Sequence, residues 1–230
     1  MIIPLTNIDV SGGINRHTRG CIELSIIATV AVDLSGNVYV ISTLDSRVQK
    51  FTPGGKFSLK IGLEGDGDGL LASPASVTID KCGNVYVADT HNDRVQKFDS
   101  SGQFITKWGS TGDGNGQFNM PWGVAIDTSG NVYVADVLNS RIQKFDSNGG
   151  FITTWGSSGG NNGQFANPSG LTVDPSGNVY ATDAFNNRIQ KFAINGTPPP
   201  IPSTPKNLKA FHATGGLSLS WDVDPGATYY

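Results

Sequence analysis

The string Gly-Asn-Val-Tyr occurs at Gly36, Gly83, Gly130 and Gly177, each 47 residues after the last. The agreement extends far beyond four letters. "VTIDKCGNVYVADTHNDRVQKFDSSGQFITKWGS" and "VAIDTSGNVYVADVLNSRIQKFDSNGGFITTWGS" align without a gap. "VAVDLSGNVYVISTLDSRVQKF" and "LTVDPSGNVYATDAFNNRIQKF" extend the series at either end. Self-similarity at a fixed period of this length means one supersecondary unit that buries its faces only against its neighbours. Four copies occupy residues 27–194.

Each copy reads as four short strands. In the third copy they are expected at Gly123–Ile126, Asn131–Ala135, Arg141–Phe145 and Phe151–Trp155. Thr128-Ser129-Gly130, the neighbourhood of Asn139, and Ser147-Asn148-Gly149 supply the turns between them. Short Val- and Tyr-rich runs bounded by Gly, Asn, Asp and Ser are hairpin signals. No window carries an apolar stripe at helical spacing, so helices should be nearly absent. Four strands in a unit of this length describe a β-propeller blade.

The pattern P-x-G-[VL]-x-[VI]-D-x-x-G-N-V-Y-V-A-D-x-x-N-x-R-[IV]-Q-K-F, fullest at Pro121–Phe145 and Pro168–Phe192, resembles the NHL repeat. The first copy departs from it, with Ile27 in place of Pro and Ile41-Ser42 in place of Ala-Asp. The resemblance implies an all-β propeller of four-stranded blades. It also implies a partial ring, because rings of this type commonly hold more than four blades.

The densest chemistry lies in "ADTHNDR", where Asp89, His91, Asn92, Asp93 and Arg94 crowd together. Carboxylates, an imidazole and a guanidinium could form a metal site or an acid–base pair. Recurrence argues otherwise. Asp89 returns as Asp136 and Asp183, Asn92 as Asn139 and Asn186, and Arg94 as Arg141 and Arg188, with Arg47 in the first copy. One substrate meets one set of groups, whereas a residue present in every blade does what every blade needs. Asp and Asn beside a turn can bond free backbone groups, and Arg can bind carbonyls or carboxylate. These positions are read as frame, and no catalytic residue is assigned.

Function is then expected where blades differ. The position before the recurring Asn holds Leu44, His91, Leu138 and Phe185 in the four copies. In propellers resembling this one, that connection opens on the same face as the long inter-blade loops. These four residues are the candidate ligand-binding set. Trp122, unique to its copy, is expected to fill core. "LEGDGDGLLASP" resembles a calcium loop through Glu64, Asp66 and Asp68, but lacks the closing bidentate Glu. Its counterparts lose the acids, so a flexible turn is expected and no metal or cofactor is assigned.

Composition closes other routes. Charged residues are 15% of the chain and the formal net charge is -3, which offers no basic field for nucleic acid or an anionic membrane. The chain has 30 glycines among its 230 residues, which suits tight turns. Cys21 and Cys82 are too few for a disulfide framework, and Cys82 reads as a small turn residue. No run approaches the ~20 apolar residues of a spanning helix, and Met1–Gly20 is not a recognisable signal peptide. Three dispersed histidines do not make a zinc site.

Outside the repeats, residues 1–26 are a candidate closing strand and residues 195–205 form a Pro-rich linker. Residues 206–230 resemble the start of a fibronectin type III domain. Leu208 and Ala210 would lie on its first strand, and Leu217, Leu219 and Trp221 on its second. Such a sandwich needs about 100 residues, so only a fragment is expected. The reading is a non-catalytic module that binds protein or carbohydrate, secreted or at the cell surface. The alternatives are a propeller-type hydrolase or lyase with its active residues in missing blades, and RNA binding.

Overall fold

In a computed structural model of the protein, residues 27–193, 206–213 and 216–222 are described. They are all-β except for two single 3-10 turns, Thr90–Asn92 and Ala184–Asn186. The first blade comprises β1 (Ile27–Val32), β2 (Val38–Ser42), β3 (Arg47–Phe51) and β4 (Phe57–Ile61). The second comprises β5 (Ser76–Ile79), β6 (Val85–Asp89), β7 (Arg94–Phe98) and β8 (Phe104–Trp108). The third comprises β9 (Pro121–Ile126), β10 (Val132–Asp136), β11 (Arg141–Phe145) and β12 (Phe151–Trp155). Among the described residues the fourth holds three strands, β13 (Pro168–Val173), β14 (Val179–Asp183) and β15 (Arg188–Phe192). Each blade is an antiparallel meander in chain order. The sequence repeat is a register repeat as well, because Val38↔Phe51, Val85↔Phe98, Val132↔Phe145 and Val179↔Phe192 pair alike.

The strands form where expected, with β9 reaching back to Pro121 and β10 extending to Asp136. Gly130 shows why the first turn needs its glycine. Its φ of 87° closes the Asp127–Gly130 turn, a conformation that other residues rarely adopt.

The core lies between blades. Tyr39, Ile41, Val48 and Ile61 of the first blade pack on Val77, Val85, Val87 and Phe98 of the second. The same positions meet between blades two and three, and again between three and four. The inner strands run side by side, β1 against β5, β5 against β9 and β9 against β13. Among the described residues no comparable contact returns from β13 to β1, so the four blades form an arc.

The long connections between blades are fixed hooks rather than the flexible turns expected. Each closes on itself through a parallel bridge, Glu64↔Leu71, Thr111↔Phe118 and Ser158↔Phe165. That closure drives Leu71, Phe118 and Phe165 fully into the core. Phe118 stands 5.5 Å from Phe145, and Phe165 5.5 Å from Phe192, ring centre to ring centre. Apolar burial therefore anchors the segments that also build the loop face.

Blade spacing sets one prediction. A Cβ on Gly123 of β9 would strike the backbone carbonyl oxygen of Ser169 in β13. Backbone cannot swing aside as a side chain can. Gly123→Ala should destabilise the protein by about 1–3 kcal/mol through overpacking. A urea-unfolding midpoint equal to that of the unsubstituted protein would mean that these strands do not approach so closely.

Residues 206–222 contain a hairpin, β16 (Lys206–Ala213) antiparallel to β17 (Gly216–Asp222). A strand pair in that place agrees with the expected first two strands, but does not by itself make a sandwich. The candidate closing strand in residues 1–26 and the linker at 195–205 lie outside the described residues.

Candidate functional site

The recurring polar cluster comes first, because its geometry decides what is left for recognition. Asp89 ends β6 and is fully buried. Its Oδ1 accepts from Ala72 N at 2.6 Å. Its Oδ2 accepts from Asn92 Nδ2 at 2.9 Å, Arg94 Nε at 2.7 Å and Gln96 Nε2 at 2.9 Å. Arg94 then donates to the carbonyls of Asp66, Gly67 and Leu70, all on the preceding hook. Asn92 donates to Gly65 O.

The third and fourth blades repeat the set. Asp136 accepts from Asn119 N, Asn139, Arg141 and Gln143, while Arg141 holds the carbonyls of Asp113, Gly114 and Gln117. Asp183 accepts from Ala166 N, Asn186, Arg188 and Gln190, and Arg188 holds Gly160, Asn161 and Gln164. In the first blade the departure seen in sequence takes physical form. Ser42 and Arg47 both donate to Asp45, at 2.6 and 3.0 Å. In blades two to four each cluster clamps the preceding inter-blade hook to the end of a sheet, and its acceptors are filled from within the chain.

Two partners went unnoticed in the sequence. Gln96, Gln143 and Gln190 complete the acceptor shell of the buried Asp, and their Oε1 atoms also hold Gly69, Gly116 and Gly163 of the hooks. The recurring Tyr hydroxyls donate to the turn carboxylates on the opposite face, as Tyr133 does to Asp127 at 3.0 Å. Both residue types stand in every repeat, so the signal was present as recurrence. What recurrence omits is the partner.

On that opposite face a cavity of about 480 Å³ opens among the first turns of blades one to three. It is lined by Leu34, Ile79, Asp80, Cys82, Ile126 and Asp127 among others. Its carboxylates are committed. Asp80 accepts from Cys82 N, Asn84 N, Asn84 Nδ2 and Tyr86 OH. Cys82 is exposed on this turn.

These bonds move proton affinities. Burial pushes Asp127 up, but bonds from Asn131 and Tyr133 and the nearby Lys144 charge outweigh it, leaving the group below its ordinary 3.8. Asp183 behaves alike. Burial raises it, and Asn186, the Ala166 N–H and Arg188 bring it below 3.8. Burial first, then the Asp127 charge, pushes the Tyr133 phenol well above its ordinary range. A carboxylate with a lowered folded value contributes stability above its unfolded value, and loses it as pH falls through the folded one. The melting temperature should therefore hold between about pH 5 and 7 and fall progressively below about pH 4. A melt unchanged down to pH 3 would contradict this reading of the turn carboxylates.

The four variable positions share the other face. The turn carrying His91 is tied to the hook by His91 N to Ala72 O, and the turn carrying Leu138 by Leu138 N to Asn119 O. Leu44 is 64% exposed, Leu138 61% and Phe185 75%, and His91 is exposed too. They stand one per blade rather than gathering into one pocket. Trp122 departs from expectation. It is 41% exposed on the inner strand β9, although its counterpart Ala75 is buried. Thr90 donates to Pro121 O at 2.8 Å, and Met120 N donates to Asp93, so the segment leading into Trp122 is pinned beside the His91 turn.

The acidic stretch weighed for calcium is part of the first hook, where Asp68 pairs with Lys107 at 2.6 Å. Among the described residues no three His, Cys, Asp or Glu side chains converge to hold a metal. Among the same residues no helix is long and apolar enough to cross a membrane.

A propeller arc clamped in this way matches known repeats. Residues 71–98, 118–145 and 165–192 match the NHL repeat, so the chain carries NHL repeats in a four-bladed β-propeller fold. The first copy, whose Asp is replaced by Ser42, lies outside those matches. No curated protein matches. Among solved structures, a streptogramin B lyase is 14% identical over 87% of this chain and 70% of its own, with a TM-score of 0.61. A protein of unknown function from Bacteroides thetaiotaomicron is 21% identical over 71% and 46%, with a TM-score of 0.60. A gluconolactonase from Xanthomonas campestris is 16% identical over 80% and 65%, with a TM-score of 0.59. At these identities the likeness shows the fold alone. The chain spans from about half to seven-tenths of those proteins' lengths.

Proposed function

We propose that the protein is a non-catalytic binding module whose loop face holds a protein partner. The observation that supports this most is contrast. Around blades two to four the same Asp, Asn, Arg and Gln bond one another, while the adjoining tips change from Leu44 of blade one to His91, Leu138 and Phe185 and stay exposed. Varied apolar groups on a fixed frame are a source of specificity and of binding energy. Exposed Leu63 and Trp122 add to the same apolar character. A surface of aliphatic and aromatic anchors suits protein better than carbohydrate, whose hydroxyls need many bonding groups. The Pro-rich segment and the fibronectin-like residues after it favour a secreted or surface-attached protein.

Parallel selection on a random peptide display library and a glycan array tests the ligand class. Peptides that enrich, and that compete with one another for one face, are expected. Binding to glycans alone would replace the protein partner with carbohydrate, and binding to neither would remove the proposal. A second reading, a propeller-type lyase or lactonase, draws on the activities named for the structural neighbours. Turnover of a streptogramin or of gluconolactone by the purified protein would favour it. RNA binding has less support, since Arg94, Arg141 and Arg188 are spent on the hooks and Lys50 and Lys97 on neighbouring turn carbonyls.

A further inference from the structure

We propose, resting on the loop-face reading above, that the partner held there is a cationic segment of protein, with lysine or arginine beside its apolar anchors. Three carboxylates on that face are free. Glu64, Asp66 and Asp113 are exposed, and among the described residues none of their carboxylates takes a hydrogen bond or an ion pair. The clamps fix where they stand. Asn92 and Arg94 hold the carbonyls of Gly65 and Asp66, which sets Glu64 and Asp66 beside the His91 turn. Asn139 and Arg141 hold the carbonyls of Gly112 and Asp113, which sets Asp113 beside the Leu138 turn. Exposed Leu63 adjoins Glu64 in the same hook. Acids and apolar tips therefore share the surface over blades two and three.

The cations stand elsewhere. Lys50, Lys97, Lys144 and Lys191 lie over the rings of Tyr39, Tyr86, Tyr133 and Tyr180. Those tyrosines bond the turn carboxylates of the opposite face, so the four lysines belong to that face too. Lys56 and Lys81 stand on its connections. Toward the loops, Lys60 and Lys107 lie on the outer strands β4 and β8, and Asp68 already takes Lys107. Arg94 and Arg141 each face their own buried Asp. The described chain thus keeps its free carboxylates where the variable tips project, and most of its lysines on the other side. Complementary charge across an interface speeds the encounter and suppresses wrong partners. A cationic segment gains from both, whereas an acidic one meets like charge.

The test selects a random peptide display library on the whole chain and counts charge in what enriches. Lysine and arginine are expected in excess over aspartate and glutamate, relative to the unselected library. The most enriched peptide is then measured by surface plasmon resonance on the unsubstituted protein and two charge variants. Glu64→Gln, Asp66→Asn and Asp113→Asn together should weaken it ~10-fold, mostly in association rate, with the melt unchanged. Leu34→Lys, Thr128→Lys and Pro175→Lys change the net charge equally on the opposite face, at the positions equivalent to Lys81. They should leave its affinity as it was. Full affinity in the neutralised variant would overturn the proposal, and so would equal losses in both variants, which would mean adsorption by net charge alone. Peptides that bind without an excess of lysine and arginine would overturn it while leaving the loop-face reading in place. Enrichment of no peptide would remove both.

Discussion

Asp136→Ala is expected to destabilise the protein by about 3–5 kcal/mol, the cost of breaking a buried ion pair from one side. Asp136 is fully buried and takes hydrogen bonds from Asn119 N, Asn139, Arg141 and Gln143. Removing it strands these donors together and leaves the Arg141 guanidinium facing no carboxylate. Propagation follows from geometry. Arg141 holds the hook that buries Phe118, and Phe118 seals the interface between blades two and three. For a domain of this size the loss corresponds to roughly 10 °C or more in melting temperature. Arg141→Ala should cost less, about 1–3 kcal/mol, because its carbonyl partners border solvent and can turn to water. A normal melt for Asp136→Ala, accompanied by lost ligand binding, would move the cluster from frame to function.

Leu138→Ser combined with Phe185→Ser should do the reverse, abolishing recognition while sparing the fold. Both side chains are already mostly exposed, so truncating them removes little packing and should stay within about 0.5 kcal/mol in stability. Apolar anchors that enter a partner's pocket cost 2 kcal/mol or more each when lost, so the pair should weaken binding by about 10³-fold or more. Phe185 should dominate, as the larger and more exposed of the two. The His91 turn belongs to the same face, and Trp122 is held beside it through Thr90 and Pro121. His91→Ala should therefore shift affinity without shifting the melt.

Most of the fold was legible because the chain states it four times. A 47-residue period, Val-rich runs and Gly-Asn turns lead to the same meander that the strand registers show. The recurrence of Asp89, Asn92 and Arg94 was legible for the same reason, and the structure adds the hydrogen bonds that join them to one another and to the hook. Gln96 and the Tyr86 hydroxyl recur just as faithfully, yet their partners lie 7 and 6 residues away and depend on strand register. The hooks were misread because Gly-rich text suggests mobility, whereas Leu71, Phe118 and Phe165 pin each one from below. Trp122 was misread because residue type favours burial. Its actual exposure depends on what stands opposite β9, which a single sequence does not encode locally.

The most direct test is a calorimetric titration of a peptide selected on the unsubstituted protein into Leu138→Ser/Phe185→Ser. A variant on the opposite face, Ser129→Lys, serves as control. All proteins would be checked for the same melting temperature beforehand. Recognition by the variable tips predicts no measurable heat with the double variant and full affinity with the control. Equal affinity for the double variant and the unsubstituted protein would contradict it, and would place recognition away from the loop face.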